Sequence, residues 1–205
     1  MDADTFLDEL RDARGTELSR LSSSKAVYAL TGGEMTGDAV RAGTARELHA
    51  LTSVFDDWAE TSEDDVADLF ADAAVFAATS AGDFDTEAAS DAATGITADA
   101  LAGGETDVER LAGAAAALLV LEELTGQLVG FFVGDADRTS ADEFRQFRSE
   151  LGEYRDDAAD LLAEHCADDA DREIASEVGT DVIDAAYDWY VETLEGMGVE
   201  PKNVC

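Results

Sequence analysis

Pro201 is the only proline in the chain of 205 residues and lies four residues from its end, while 38 positions are alanine. Proline is the strongest helix breaker and alanine the best helix former, so long helices can run almost uninterrupted. The expected fold class is all-α. Apolar residues make up 46% of the chain, enough to offset chain entropy by forming a core. The length predicts one helical domain over residues 1–205.

Charge constrains the surroundings. Asp and Glu number 48 against 13 Lys and Arg, a formal charge of −35, and the only lysines are Lys25 and Lys202. Such a surface repels itself in dilute buffer, whereas about 1 M salt shortens the Debye length to roughly 3 Å and removes most of the penalty. The composition predicts a salt-adapted, halophilic protein whose acidic runs are solvated surface. With no basic stripe to displace phosphate counterions, direct nucleic-acid binding is not expected. Two cysteines, Cys166 and Cys205, make no disulfide framework and predict a reduced interior. The acidic start Met1-Asp2-Ala3-Asp4-Thr5 lacks the basic and apolar regions of a secretory signal, so a cytoplasmic location is expected. Leu111 to Val133 is apolar but interrupted by Glu122, Glu123 and Gln127; it is predicted to be a buried helix, with no membrane involved.

Periodicity then divides the chain. Leu7, Leu10, Leu18, Leu21 and Tyr28 predict a first segment from about Asp4 to Leu30, with Gly15 a weak point and a turn at Thr31-Gly32-Gly33. A second helix starts near Thr36 or Asp38 and carries Val40, Thr44, Leu48, Leu51, Phe55 and Trp58 on one face. Thr61 and Ser62 open a third, with Ser62 and Asp65 at capping-box spacing and Val66, Leu69, Phe70, Ala73, Phe76 and Ala77 inward. A long crossover connection follows over about 79–106, with a helix fragment expected between Thr86 and Ala102.

A fourth helix begins at Thr106 with Glu109 as capping partner, and a fifth at Ser140 with Glu143 in the same relation. The fifth carries the stripe Phe144, Phe147, Leu151, Tyr154, Ala158, Leu161 and His165. A sixth spans about Asp169 to Met197 with Ile174, Val178, Val182, Ala185, Trp189 and Leu194 inward, before a short tail over 198–205. Phe131 and Phe132 are candidates for a subunit contact.

Chemistry-bearing patterns are sparse. A carboxylate-bridged metal pair in a helical bundle needs Glu-x-x-His on two helices and a lone Glu on two more, since i and i+3 share a face. Three residues before His49 stands Arg46, and three before His165 stands Leu162, so the motif is absent. A weaker set of candidate ligands is Glu47, Glu122, Glu123 and His165. Glu164-His165-Cys166 cannot converge on one ion, because successive helical side chains diverge by about 100°. The glycine pairs Gly32-Gly33 and Gly103-Gly104 match no phosphate-binding loop and predict turns. Cys205, beside the terminal carboxylate, is either a redox or conjugation handle or a tail residue without a role.

The closing run from Tyr187-Asp188-Trp189-Tyr190 through Glu200-Pro201-Lys202-Asn203-Val204-Cys205, with Ser24-Lys25-Ala26 and Phe55-Asp56-Asp57-Trp58-Ala59, resembles a rubrerythrin-like group of halophile proteins in the ferritin-like superfamily. The resemblance spans most of the chain. It implies a ferritin-like four-helix bundle with accessory helices, and in true rubrerythrins two irons that reduce peroxide. Where such a protein places Glu and Glu-x-x-His, this chain reads Ala73-Ala74-Val75-Phe76-Ala77-Ala78, and the four-cysteine iron module is missing. The expectation is therefore a binding or assembly protein that has lost its di-iron site, with no catalytic residue, metal ligand or cofactor. A homo-oligomer or a protein partner is expected. The alternatives are a metal-dependent oxidoreductase using Glu47, Glu122 or Glu123 and His165, and an accessory factor in transcription antitermination or enzyme maturation.

Overall fold

The structure, a computed structural model, describes residues 2–84 and 95–201. Among these residues all regular structure is helical, as the composition predicts: α1 (Ala3–Ala13), α2 (Gly15–Leu21), α3 (Ser24–Leu30), α4 (Gly37–Thr61), α5 (Asp64–Phe84), α6 (Ala98–Leu101), α7 (Asp107–Gly134), α8 (Arg138–His165) and α9 (Asp169–Gly196). Two tight hairpins dominate, α4 with α5 and α7 with α8, and α9 packs along α7. The short helices α1–α3 lie against α7, α8 and α9.

The centre is α7. Leu111, Ala112, Ala114 to Ala117, Leu119 and Val120 are buried on every side, as expected of a helix surrounded by others. By length and composition α7 is also apolar enough to cross a membrane; its stretch from Leu111 to Leu121 is wholly buried against neighbouring helices, and its end is partly exposed. Its start follows the predicted chemistry: the Thr106 hydroxyl accepts from the Glu109 amide, and Glu109 accepts from the Thr106 amide at 2.8 Å. Thr36 likewise caps α4 by accepting from the Ala39 amide.

Aromatic packing holds the α4–α5 hairpin together at one end and joins the two hairpins at the other. Phe55 and Trp58 of α4 meet Phe70 of α5 at ring distances of 5.9 and 5.0 Å. At the other end Phe144 of α8 stacks on Phe84 of α5 at 4.5 Å and on Phe132 of α7 at 5.0 Å. Phe132 is thus core and not a subunit contact; its burial contributes about 1.5–3 kcal/mol. Arg41 of α4 sits 5.8–5.9 Å from the Phe84, Phe132 and Phe144 ring centres while pairing with Glu143, so its cation closes this end of the core.

Several element ends differ from the sequence expectation. The first segment is broken twice, at Arg14 and at Ser22-Ser23. Thr61 and Ser62 close α4 instead of opening α5, because the Ser62 hydroxyl accepts from the Arg110 guanidinium at 2.8 Å and Asp65 is no capping partner. Helix α5 runs on to Phe84, five residues past the expected start of the connection at 79. Asp137, not Ser140, caps α8; it accepts from the Ser140 amide at 3.1 Å.

On α9 the buried set is Ala175, Gly179, Val182, Ile183, Ala186, Tyr190 and Leu194, while Ile174 is exposed and Val178, Ala185 and Trp189 are half-buried. The buried face is rotated from the predicted one because α1 comes close: a Cβ on Gly179 would lie 2.9 Å from Leu10. On α8 Leu151 is buried as expected, while near the end of the helix the buried leucine is Leu162, with Leu161 half-buried.

The turn at Gly32 and Gly33 is as expected, with φ of +59° and +88°. Residues 85–94 of the expected crossover, and with them the first part of the expected helix fragment, lie outside the described residues; α6 falls in its later part. Of the tail, residues up to Pro201 are docked: the buried Tyr190 hydroxyl donates to the Pro201 carbonyl at 3.0 Å, and Lys25 donates to the Glu200 carbonyl at 2.6 Å. Lys202 and Cys205 lie outside the described residues.

Candidate functional site

Glu47 is the only Asp or Glu among the buried polar residues described, at 4% exposure. It projects from α4 between Thr44 and Leu48 of the core stripe. Its carboxylate accepts from the Ile96 amide, from the Thr97 amide at 3.1 Å and from the Thr97 hydroxyl at 2.8 Å. These groups belong to the chain just before α6, so Glu47 anchors the far end of the crossover to α4. Gly95 allows this approach, since a Cβ there would lie 2.9 Å from the Glu47 Oε2. Burial pushes the Glu47 carboxyl above the ordinary glutamate range, and the three donated hydrogen bonds pull in the opposite direction. Beside it is a cavity of about 10 Å³ among Thr44, Leu48, Leu121, Leu124, Thr125 and Phe147, room for at most one water.

Glu122, on α7, is held in a different place and by different chemistry. It pairs with Arg155 of α8, and its Oε1 lies 3.7 Å from the Arg148 guanidinium. The Arg148 Nε also donates to the Glu122 carbonyl at 3.2 Å. Glu123 is half-buried on the same helix. His165, at the last turn of α8, reaches the N-terminal end of α5, where its Nε2 lies 3.5 Å from Asp65. His49 is exposed on α4.

The structure does not bring the four sequence candidates together. Glu47 faces the crossover, Glu122 the arginines of α8, and His165 the start of α5. Among the described residues no group of three or more His, Cys, Asp or Glu side chains is placed to hold a metal ion. Within the 73–78 stretch of α5 the buried positions are Ala73, Ala74 and Ala77, all hydrocarbon. Cys166 ends α8, and burial pushes its thiol above the ordinary cysteine range, which suppresses the thiolate that a nucleophile needs.

Sequence reasoning missed the partners more than the acids. Arg148 and Arg155 are spaced by two helical turns and therefore share a face of α8, a signal that was available in a chain with so few cations. Ile96 and Thr97 carried no such signal, because their contact with Glu47 spans about fifty residues and uses two backbone amides. An open cleft of about 170 Å³ lies beside Trp58, Gly104, Gly113, Val178 and Asp181. Comparisons with protein families, with curated proteins and with solved structures found no match for this chain.

Proposed function

We propose that this chain is a ferritin-like bundle of α4, α5, α7 and α8, with α1–α3 and α9 added, that has lost its di-iron site and acts by binding or assembly instead of catalysis. Two helical hairpins joined by one long crossover support the bundle reading, since that connectivity distinguishes this class from simple up-and-down bundles. The salt-adapted surface supports a role in a concentrated salt environment.

The observation that carries the functional reading is the engagement of Glu47. Among the described residues, the one fully buried carboxylate spends both oxygens on Ile96 and Thr97, which supports reading it as a structural anchor. The residues present do not fit a di-iron centre: α5 contributes alanines, Glu122 is neutralised by Arg155, and His165 points to Asp65.

Metal analysis of the purified protein tests this directly. Substoichiometric iron, manganese and zinc after purification in molar salt, and again after incubation with each metal, is the expected result. Stoichiometric metal lost on Glu47→Gln or Glu122→Gln with the fold intact would overturn the reading and restore a metal-dependent oxidoreductase.

A further inference from the structure

Helix α6 is four residues long, too short to hold its shape alone, so what keeps it in place comes from its surroundings. It packs on α4, α7 and α9 and so bridges the seam between the two hairpins. The segment from Gly95 to Gly104 meets this seam at two levels. Ile96 and Thr97 meet Glu47, whereas Leu101 and Gly104 belong to the Trp58 end: a Cβ on Gly113 would lie 2.9 Å from Leu101, and one on Gly104 3.1 Å from Trp58. Glu47 and Trp58 are three turns apart on α4, about 16 Å. The same segment lines both hollows along that distance. Ile96 lines the buried cavity beside Glu47 and Thr125, and Ala100, Leu101, Gly103 and Gly104 line the open cleft beside Trp58.

We propose that Gly95 to Gly104 is a strap latched by Glu47, whose release joins the cavity and the cleft into one passage from solvent to the Glu47 carboxyl. What holds the strap is local and small: the hydrogen bonds to Glu47 and the buried side chains of Ile96, Ala98 and Leu101. A segment with so few buried contacts lies at the low end of local stability and opens while the rest of the protein stays folded. Its exit is free to turn, because Gly103 is exposed and a Cβ there would meet nothing within 4 Å. Apart from Glu47 itself, the residues around the inner cavity are uncharged, so the passage suits water and small neutral molecules. The inference goes beyond the binding reading above and stands whether or not that reading does.

Two measurements on the full chain in molar KCl test it. In native-state hydrogen exchange at low urea, the Thr97 and Leu101 amides are expected to exchange about a hundredfold faster than those of Ala115 to Leu119 in α7, through an opening that urea barely accelerates. Tyr190→Phe is expected to speed the α7 amides several-fold and leave the strap unchanged, while Glu47→Gln speeds the strap about tenfold or more. Thr125→Cys, placed on the inner cavity in a Cys166→Ala, Cys205→Ser background, is expected to react with methyl methanethiosulfonate with the protection of the strap and not that of α7. Strap amides that exchange only together with α7, with the same urea slope, overturn the proposal. An unchanged strap in Glu47→Gln removes the latch and overturns it too. So does a Thr125→Cys thiol as protected as α7 while the strap opens faster, since release would then not reach the interior.

Discussion

The Glu47 carboxylate of α4 accepts the Thr97 hydroxyl at 2.8 Å and the Thr97 amide at 3.1 Å, fastening the end of the crossover to the inside of the protein. Removing the acceptor strands three buried donors. Glu47→Ala is expected to lower the unfolding free energy by about 3 kcal/mol, measured by urea unfolding in molar salt, and Glu47→Gln by less, since its amide oxygen keeps part of the set.

The same group sets a pH dependence whose sign is fixed by burial. Because the folded pKa is raised above the ordinary 4.5, the folded protein retains a proton where the unfolded chain has released it. The contribution is complete below the unfolded value and is lost as pH rises through the folded one. The stability of the wild type relative to Glu47→Gln should therefore fall as pH is raised from 4.5, in unfolding titrations at constant salt. A difference that grows with pH would mean that the three hydrogen bonds outweigh the burial.

Glycine positions predict substitutions of opposite sign. At Gly43 a Cβ would lie 2.7 Å from the Leu30 side chain and 2.9 Å from its carbonyl oxygen, and backbone cannot yield easily. Gly43→Ala is expected to destabilise by about 1–3 kcal/mol through overpacking of α3 against α4. Gly82, in α5, meets nothing within 4 Å, so Gly82→Ala should stabilise by about 0.5–1 kcal/mol. Ala136 is the converse case. It sits at φ +60° after α7, where its amide bonds Val133 and the Asp137 amide bonds Phe132, the pattern of a helix end that favours glycine. Ala136→Gly is expected to add about 1 kcal/mol in thermal unfolding.

The docked part of the tail depends on Tyr190. Its hydroxyl is buried and its donation to the Pro201 carbonyl joins the last described residue to α9. Tyr190→Phe keeps the ring packing and deletes only that bond, so a loss of about 1 kcal/mol is expected. Limited proteolysis should show earlier cleavage after Met197 in this variant, with the rest of the chain as resistant as before.

Local chemistry was legible in the sequence where both partners lie within one helical turn. Thr36 and the Thr106–Glu109 pair were readable on that ground, and so was the α4 stripe from Val40 to Trp58, all of it buried. The same reasoning went astray at Ser62 and Ser140 because each hydroxyl has a better partner elsewhere: Arg110 from α7 for the first and Asp137 for the second. On α9 the apolar pattern placed Val182 and Leu194 correctly but missed how far the buried face is turned, since the close approach of α1 at Gly179 favours a small residue there and leaves Ile174 exposed. The candidate acids were readable as residues, but what each one does depends on partners brought in by tertiary packing.

Salt should govern stability through the surface and not through the interior pairs. Each carboxylate added to a surface already at −35 raises the repulsion felt by the others, and that energy extends over about 10 Å at 0.1 M salt but only about 3 Å at 1 M. Partly buried contacts such as Glu122 with Arg155 are screened far less. Thermal unfolding is therefore expected to shift upward steeply between about 0.1 and 1 M KCl and to flatten above that range. Replacing a set of exposed, unpaired acids such as Asp68, Asp72 and Glu177 by Asn or Gln should raise the Tm at low salt and leave it nearly unchanged at molar salt. An equal gain at both salt concentrations would show that these side chains act through local packing or helix propensity, and that long-range repulsion is not what salt relieves.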